Sequence, residues 1–111
     1  MNKKLCISKK IKGVAGRVDY YLLESRYEDV KNGISTYVFG VEIQKISVDE
    51  WNVEYIQKKS ATDLSVSREK VLEFLYMLSE NDVLPVSLLD IASDFAGEGF
   101  FLETDRKEKT A

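Results

Sequence analysis

Histidine is absent from the 111-residue sequence, and cysteine and proline each occur once. Without histidine there is no Ser-His or Cys-His nucleophile pair, no imidazole proton shuttle and no imidazole metal ligand. Cys6 alone supports neither an internal disulfide nor a multi-cysteine zinc site, and it implies no oxidising compartment. No GxxxxGK[ST] or GxGxxG sequence occurs, so no phosphate-cradling loop is signalled. The glycine-flanked turn Gly13-Val14-Ala15-Gly16 runs into Arg17-Val18-Asp19, which does not open a helix. No run reaches the ~18–20 apolar residues of a membrane span. The basic opening of the chain is interrupted by Lys9, Lys10 and Lys12, where a signal peptide would need apolar residues. A cytoplasmic protein without a cofactor, small-molecule substrate or membrane partner is the expectation.

What is present suits one globular domain. The apolar fraction is 44% and the charged fraction 32%, enough to bury a core. The net charge of −3 is unevenly spread. Residues 1–18 carry Lys3, Lys4, Lys9, Lys10, Lys12 and Arg17 and no acid, so the remainder is strongly acidic. Lys9, Lys10, Lys12 and Arg17 could contact nucleic acid as a basic arm, which is the alternative reading of function. A solvated edge strand whose lysines block edge-to-edge pairing is preferred, so nucleic acid is disfavoured.

The first half alternates and the second half has helical spacing, the order of an α+β fold. The pattern predicts a three- to four-stranded antiparallel meander sheet followed by two helices packed on one face. Residues 1–97 would form a single domain, with 1–17 as a basic strand or arm and 98–111 as a loosely held tail. Thr36 to Gln44 alternates with Tyr37, Phe39, Val41 and Ile43 on one side, and Val18 to Val30 is also extended. A two-residue Asn32-Gly33 turn would set Leu23 across from Glu42. A three-residue loop, Lys31 to Gly33, instead sets Tyr27 across from Tyr37, Leu23 from Val41 and Tyr21 from Ile43, with Gly33 in the left-handed position. That register predicts Tyr21, Leu23, Tyr27, Tyr37, Phe39, Val41 and Ile43 facing the helices. Trp51 to Gln57 is a third strand, joined through Ser47 to Glu50. Leu5, Ile7 and Ile11 suggest another strand at the sheet edge.

Ser67 is a good N-cap with Glu69 in the first turn, and Val66 and Val71 have the spacing of a hydrophobic staple. Val71, Leu72, Phe74, Leu75 and Leu78, with Met77 nearby, form an apolar stripe that Asn81-Asp82 ends. A second helix starts at Pro85, carries Leu88, Ile91, Ala92 and Phe95 at i, i+3, i+4 and i+7, and ends near Gly97.

Among possible sites, Asp90 and Asp94 share a helix face, with Glu80 and Asp82 before it. A solvated face explains them better than a cation site, which needs about six oxygens. Tyr20 adjoins Tyr21, so the rings point to opposite sides of the sheet. The register above puts Tyr20, Leu22 and Val38 outside, as an exposed aromatic patch. Phe100, Phe101 and Leu102 form a second apolar patch with no evident core partner. These six residues are the expected surface for a protein partner or for self-association as a homodimer.

The segments Tyr20-Tyr21-Leu22-Leu23-Glu24, Tyr37 through Ile43, and Asn81-Asp82-Val83-Leu84-Pro85 through Phe95 resemble a family of small uncharacterised cytoplasmic proteins from anaerobic, spore-forming Gram-positive bacteria. Its most distinctive part is the Asn-x-Val-x-Pro…Leu-x-Asp…Asp-Phe stretch. The resemblance covers most of residues 18–96 and implies a domain of unknown function, with no catalytic residues to transfer. A non-enzymatic binding or regulatory domain acting through protein–protein contacts is therefore the leading functional expectation.

Overall fold

A computed structural model describes residues 1–13 and 15–97. Four strands, β1 (Asn2–Lys9), β2 (Gly16–Asp29), β3 (Ile34–Val48) and β4 (Glu54–Ser65), precede two helices, α1 (Arg68–Glu80) and α2 (Pro85–Gly97). The strands lie in the sheet in chain order, and every neighbouring pair is antiparallel. This is the α+β meander expected from the pattern.

The register of the central hairpin differs from the expectation. Asp29 pairs with Ile34, so the loop is the four residues Val30 to Gly33, not three. Tyr20 consequently faces Ile43, Leu22 faces Val41 and Glu24 faces Phe39. A shift of one residue moves a whole set of side chains to the other side of a strand. Val18, Tyr20 and Leu22 therefore join Phe39, Val41 and Ile43 under the helices. Tyr21, Leu23 and Tyr27 lie on the opposite, helix-free face. Tyr37 does share the helix side, but beyond the helices, where it is exposed. Gly33 keeps its expected role, with φ +66°, and its N–H closes the turn onto the Val30 carbonyl at 3.3 Å.

β4 begins later and runs further than the expected Trp51 to Gln57, because Trp51 and Val53 belong to the preceding turn. Asp49 organises that turn: its Oδ1 accepts the N–H groups of Trp51 at 2.8 Å and Val53 at 2.9 Å. Near its other end β4 bulges, with Val41 opposite Ala61 but Phe39 opposite Ser65. Asp63, at φ 54°, lies in the bulge. Gly40 sits opposite it, and a Cβ there would collide with the Ala61 carbonyl oxygen.

Helix α1 starts where expected. The Ser67 hydroxyl accepts the Lys70 N–H at 3.3 Å. Val66 is exposed, however, so the staple with buried Val71 does not form. Val71, Phe74, Leu75 and Leu78 make the buried stripe, while Leu72 is half-buried and Met77 exposed. At the C-terminus the Asp82 N–H meets the Ser79 carbonyl at 3.1 Å and the Val83 N–H meets the Leu78 carbonyl at 3.0 Å. This is a Schellman closure with Asp82, φ 53°, in the left-handed position usually held by glycine. Leu88 and Ala92 bury α2, and Phe95 stacks on Phe74 with ring centroids 4.3 Å apart.

Candidate functional site

The expected patch around Tyr20 is not a surface. Tyr20 is 0% exposed and Leu22 4%, both within the core, because β2 turns its even-numbered side chains toward the helices. The Tyr20 hydroxyl donates to the Val83 carbonyl at 2.9 Å. Burial first, and then the charge of Asp82, push the phenol up to about 12. Val38 does lie on the helix-free face, but it is buried and not part of an exposed patch. Phe100, Phe101 and Leu102 lie outside the described residues.

Half of the basic arm is occupied within the fold. Lys9 Nζ donates to the Ser79 carbonyl at 2.9 Å and pairs with Asp82 at 2.8 Å, tying β1 to the closing turn of α1. Its charge there also suits the negative end of the helix dipole. Arg17 pairs with Asp19 at 3.3 Å, and Lys3 with Glu42 at 2.9 Å. Among the described residues, Lys4, Lys10 and Lys12 form no ion pair.

The helix-free face carries two buried carboxylates that composition alone does not single out. Ser8 Oγ donates to Asp19 at 2.6 Å. Glu42 accepts from Gln44 at 2.6 Å, Ser60 at 2.7 Å and Lys3 at 2.9 Å. Burial alone would raise the Glu42 pKa. The hydrogen bonds from Gln44, Ser60 and Lys3, together with the Lys3 charge, outweigh burial and hold the carboxyl below the usual range. A carboxylate so fully satisfied is poorly suited to proton transfer. The alternation of Glu42 and Gln44 on the polar side of β3 was the sequence signal for this network.

The helical acids are dispersed. Asp90 and Asp94 are exposed on α2, and only Asp94 reaches a shallow cavity of about 280 Å³ between the helices. No group of three or more Cys, Asp or Glu among the described residues is placed to hold a metal ion.

A larger opening lies at the far end of the sheet. β1 first pairs through Asn2 with Glu24, and β4 last pairs through Ser65 with Phe39. Beyond them β2 and β3 continue alone as a two-stranded ribbon. Between this ribbon, the β4 bulge and Val66 lies an open groove of about 960 Å³. Tyr27, Ile34, Val38 and Val66 supply its apolar lining; Arg26, Glu28 and Asp63 supply charge at its border. Tyr27 is 42% exposed and Ile34 50%, so the groove presents large apolar surface to solvent. Its lining contains no thiol, no lysine and no buried acid, and offers shape and apolar contact more than reactivity.

These features define a small α+β domain, a meander sheet backed by two helices, with its open surface at the strand ends and on the helix-free face. The chain belongs to a family of unknown function (DUF6514), whose model matches residues 2–98. No curated protein and no solved structure matches it. No helix among the described residues is long and apolar enough to cross a membrane.

Proposed function

We propose that this is a non-enzymatic, cytoplasmic binding or regulatory domain that docks an apolar segment of a partner protein in the groove beside the β2–β3 ribbon. The observation that carries the reading is the groove itself: Tyr27 and Ile34 stand exposed on a ribbon that neither flanking strand covers. Partly exposed aromatic and aliphatic side chains around a concavity are the usual anchors of protein contacts. Support for a non-enzymatic role comes from the residue set, which lacks histidine and clustered metal ligands and holds its buried carboxylates in satisfied networks. The internal pairing of Lys3, Lys9 and Arg17 disfavours nucleic acid as the partner.

Affinity capture with crosslinking from the native cell tests the proposal. The wild-type chain should retain a protein that Tyr27→Ser and Ile34→Ser, both folded by circular dichroism, no longer retain. Equal capture by all three would refute the groove as the contact. Recovery of nucleic acid in place of protein would favour the basic arm.

A further inference from the structure

β4 is an edge strand, hydrogen-bonded in the sheet only to β3. From Glu54 to Ser60 every residue is exposed, and Ile56 is 58% exposed. The Asp49 turn bounds this free edge at one end and the Asp63 bulge at the other. Unpaired strand edges recruit further strands, and natural chains use charge to control which strand pairs and how.

We infer that β4 pairs antiparallel with β4 of a second copy of this chain, about a two-fold axis passing through Ile56. The choice of partner follows from the charges. When two copies extend one sheet and keep their helices on the same side, facing residues must point to the same face. The axis must therefore pass through a residue and not between two. Each centre along the edge can then be judged by what it opposes.

A centre at Glu54 sets two glutamates together, and centres at Lys58 or Lys59 set two lysines together. Like charges directly opposite are unfavourable. A centre at Gln57 places Ile56 against Lys58, and one at Tyr55 places Glu54 against Ile56. Only the centre at Ile56 sets Glu54 against Lys58 of the second copy, twice by symmetry, with no like charges opposed. The two isoleucines then meet across the axis. Ile46, which faces Ile56 across β3 and β4 and is itself buried, extends them into an apolar row of four spanning both copies.

The resulting assembly is closed. Each copy uses its one β4 edge, and the other sheet edge, β1, carries the unpaired Lys4 and an irregularity between Leu5 and Ile7. Two copies form a continuous eight-stranded sheet and stop. The contact is remote from the Tyr27 groove and does not depend on it.

Sedimentation of the full chain over a range of concentrations, in low salt, provides the test. The wild type should show a reversible monomer–dimer equilibrium. Glu54→Lys and Lys58→Glu each replace two attractive contacts with two repulsive ones, and each should weaken the dimer about tenfold. The doubly reversed variant, Glu54→Lys with Lys58→Glu, should recover the wild-type constant within about threefold. Both residues are exposed, so all three variants should fold, which circular dichroism checks.

A second measurement fixes the axis. In a Cys6→Ser background, Ile56→Cys should oxidise to a disulfide-linked dimer, since residues facing one another across a strand pair are ~4.5–5.5 Å apart at Cα. Gln57→Cys, which faces Tyr55 of the second copy, should crosslink far more slowly. A wild type that stays monomeric throughout, a double reversal that does not restore the dimer, or faster crosslinking at Gln57 would each overturn the proposal. Tyr27→Ser should dimerise normally, so failure of the groove reading and failure of this one are separable.

Discussion

Replacing Tyr20 by phenylalanine removes one oxygen atom and tests the register of the whole sheet. The hydroxyl lies in the core and donates to the Val83 carbonyl at 2.9 Å, on the residue that closes helix α1. Losing that donor leaves a buried carbonyl unsatisfied, a cost of about 1–3 kcal/mol. For a domain of this size, 2 kcal/mol corresponds to a fall in Tm of about 8 °C or more.

Tyr20→Phe also carries a pH signature. The folded phenol holds its proton to about pH 12, against an ordinary value of 10.0. Between those values the unfolded chain releases the proton and the folded chain does not. The stabilisation is complete below pH 10 and is lost as pH rises toward 12, by about 2–3 kcal/mol in all. Urea melts of both proteins at a series of pH values measure this directly. Subtracting the two curves removes the lysines, which titrate in the same range but are common to both. The gap should be constant from neutral pH to about 9, then close as pH approaches 12. A gap below about 0.5 kcal/mol at neutral pH, or parallel curves up to pH 12, would refute burial of Tyr20 and the register with it.

Two glycines should respond differently to alanine. Gly33→Ala meets open space but forces a left-handed conformation, so its cost should be about 1 kcal/mol by denaturant melting, with no change in m-value. Gly40→Ala drives a methyl into the Ala61 carbonyl and should cost about 2–4 kcal/mol, visible also as loss of amide protection around the β4 bulge. Glu42→Gln should destabilise by about 1–3 kcal/mol at neutral pH, because it removes a charged acceptor of three hydrogen bonds. Since the Glu42 pKa is depressed in the fold, that stabilisation is present above the ordinary glutamate range and is lost as pH falls through the lowered value. Stability curves of wild type and variant should therefore converge in acid.

Element order and helix ends were legible in the sequence because their signals are local. Ser67 caps through its own hydroxyl, Pro85 suits a first turn, and Asn81-Asp82 close α1 through backbone bonds within a few residues. The register of β2 was not legible, because that strand is apolar on both sides. Val18, Tyr20 and Leu22 alternate with Tyr21 and Leu23, and either set could serve as a core face. Val30 has the apolar character of a strand end but belongs to the loop, largely in solvent. The contrary signal was Asp19, which the register with Tyr21 inside would have placed among the helices. The full length of β4 is hidden in the sequence because an exposed edge strand needs no alternation, and Lys58-Lys59-Ser60 shows none. The groove was hidden for a related reason: it exists only where β1 and β4 stop pairing and β2 and β3 continue, which depends on the relative lengths of three strands.

Strands that are neighbours in this sheet are also neighbours in the chain, so the sheet assembles by three successive hairpin closures. Loop-closure entropy is modest for such steps, so the topology favours building the sheet by local closures. The contacts of Lys9 with Ser79 and of Tyr20 with Val83 are of another kind, spanning 70 and 63 residues. They form only when the closing turn of α1 reaches back to the start of the sheet. Native docking of the helices therefore requires a sheet already in register, and protection of the Tyr20 hydroxyl is expected to report that docking.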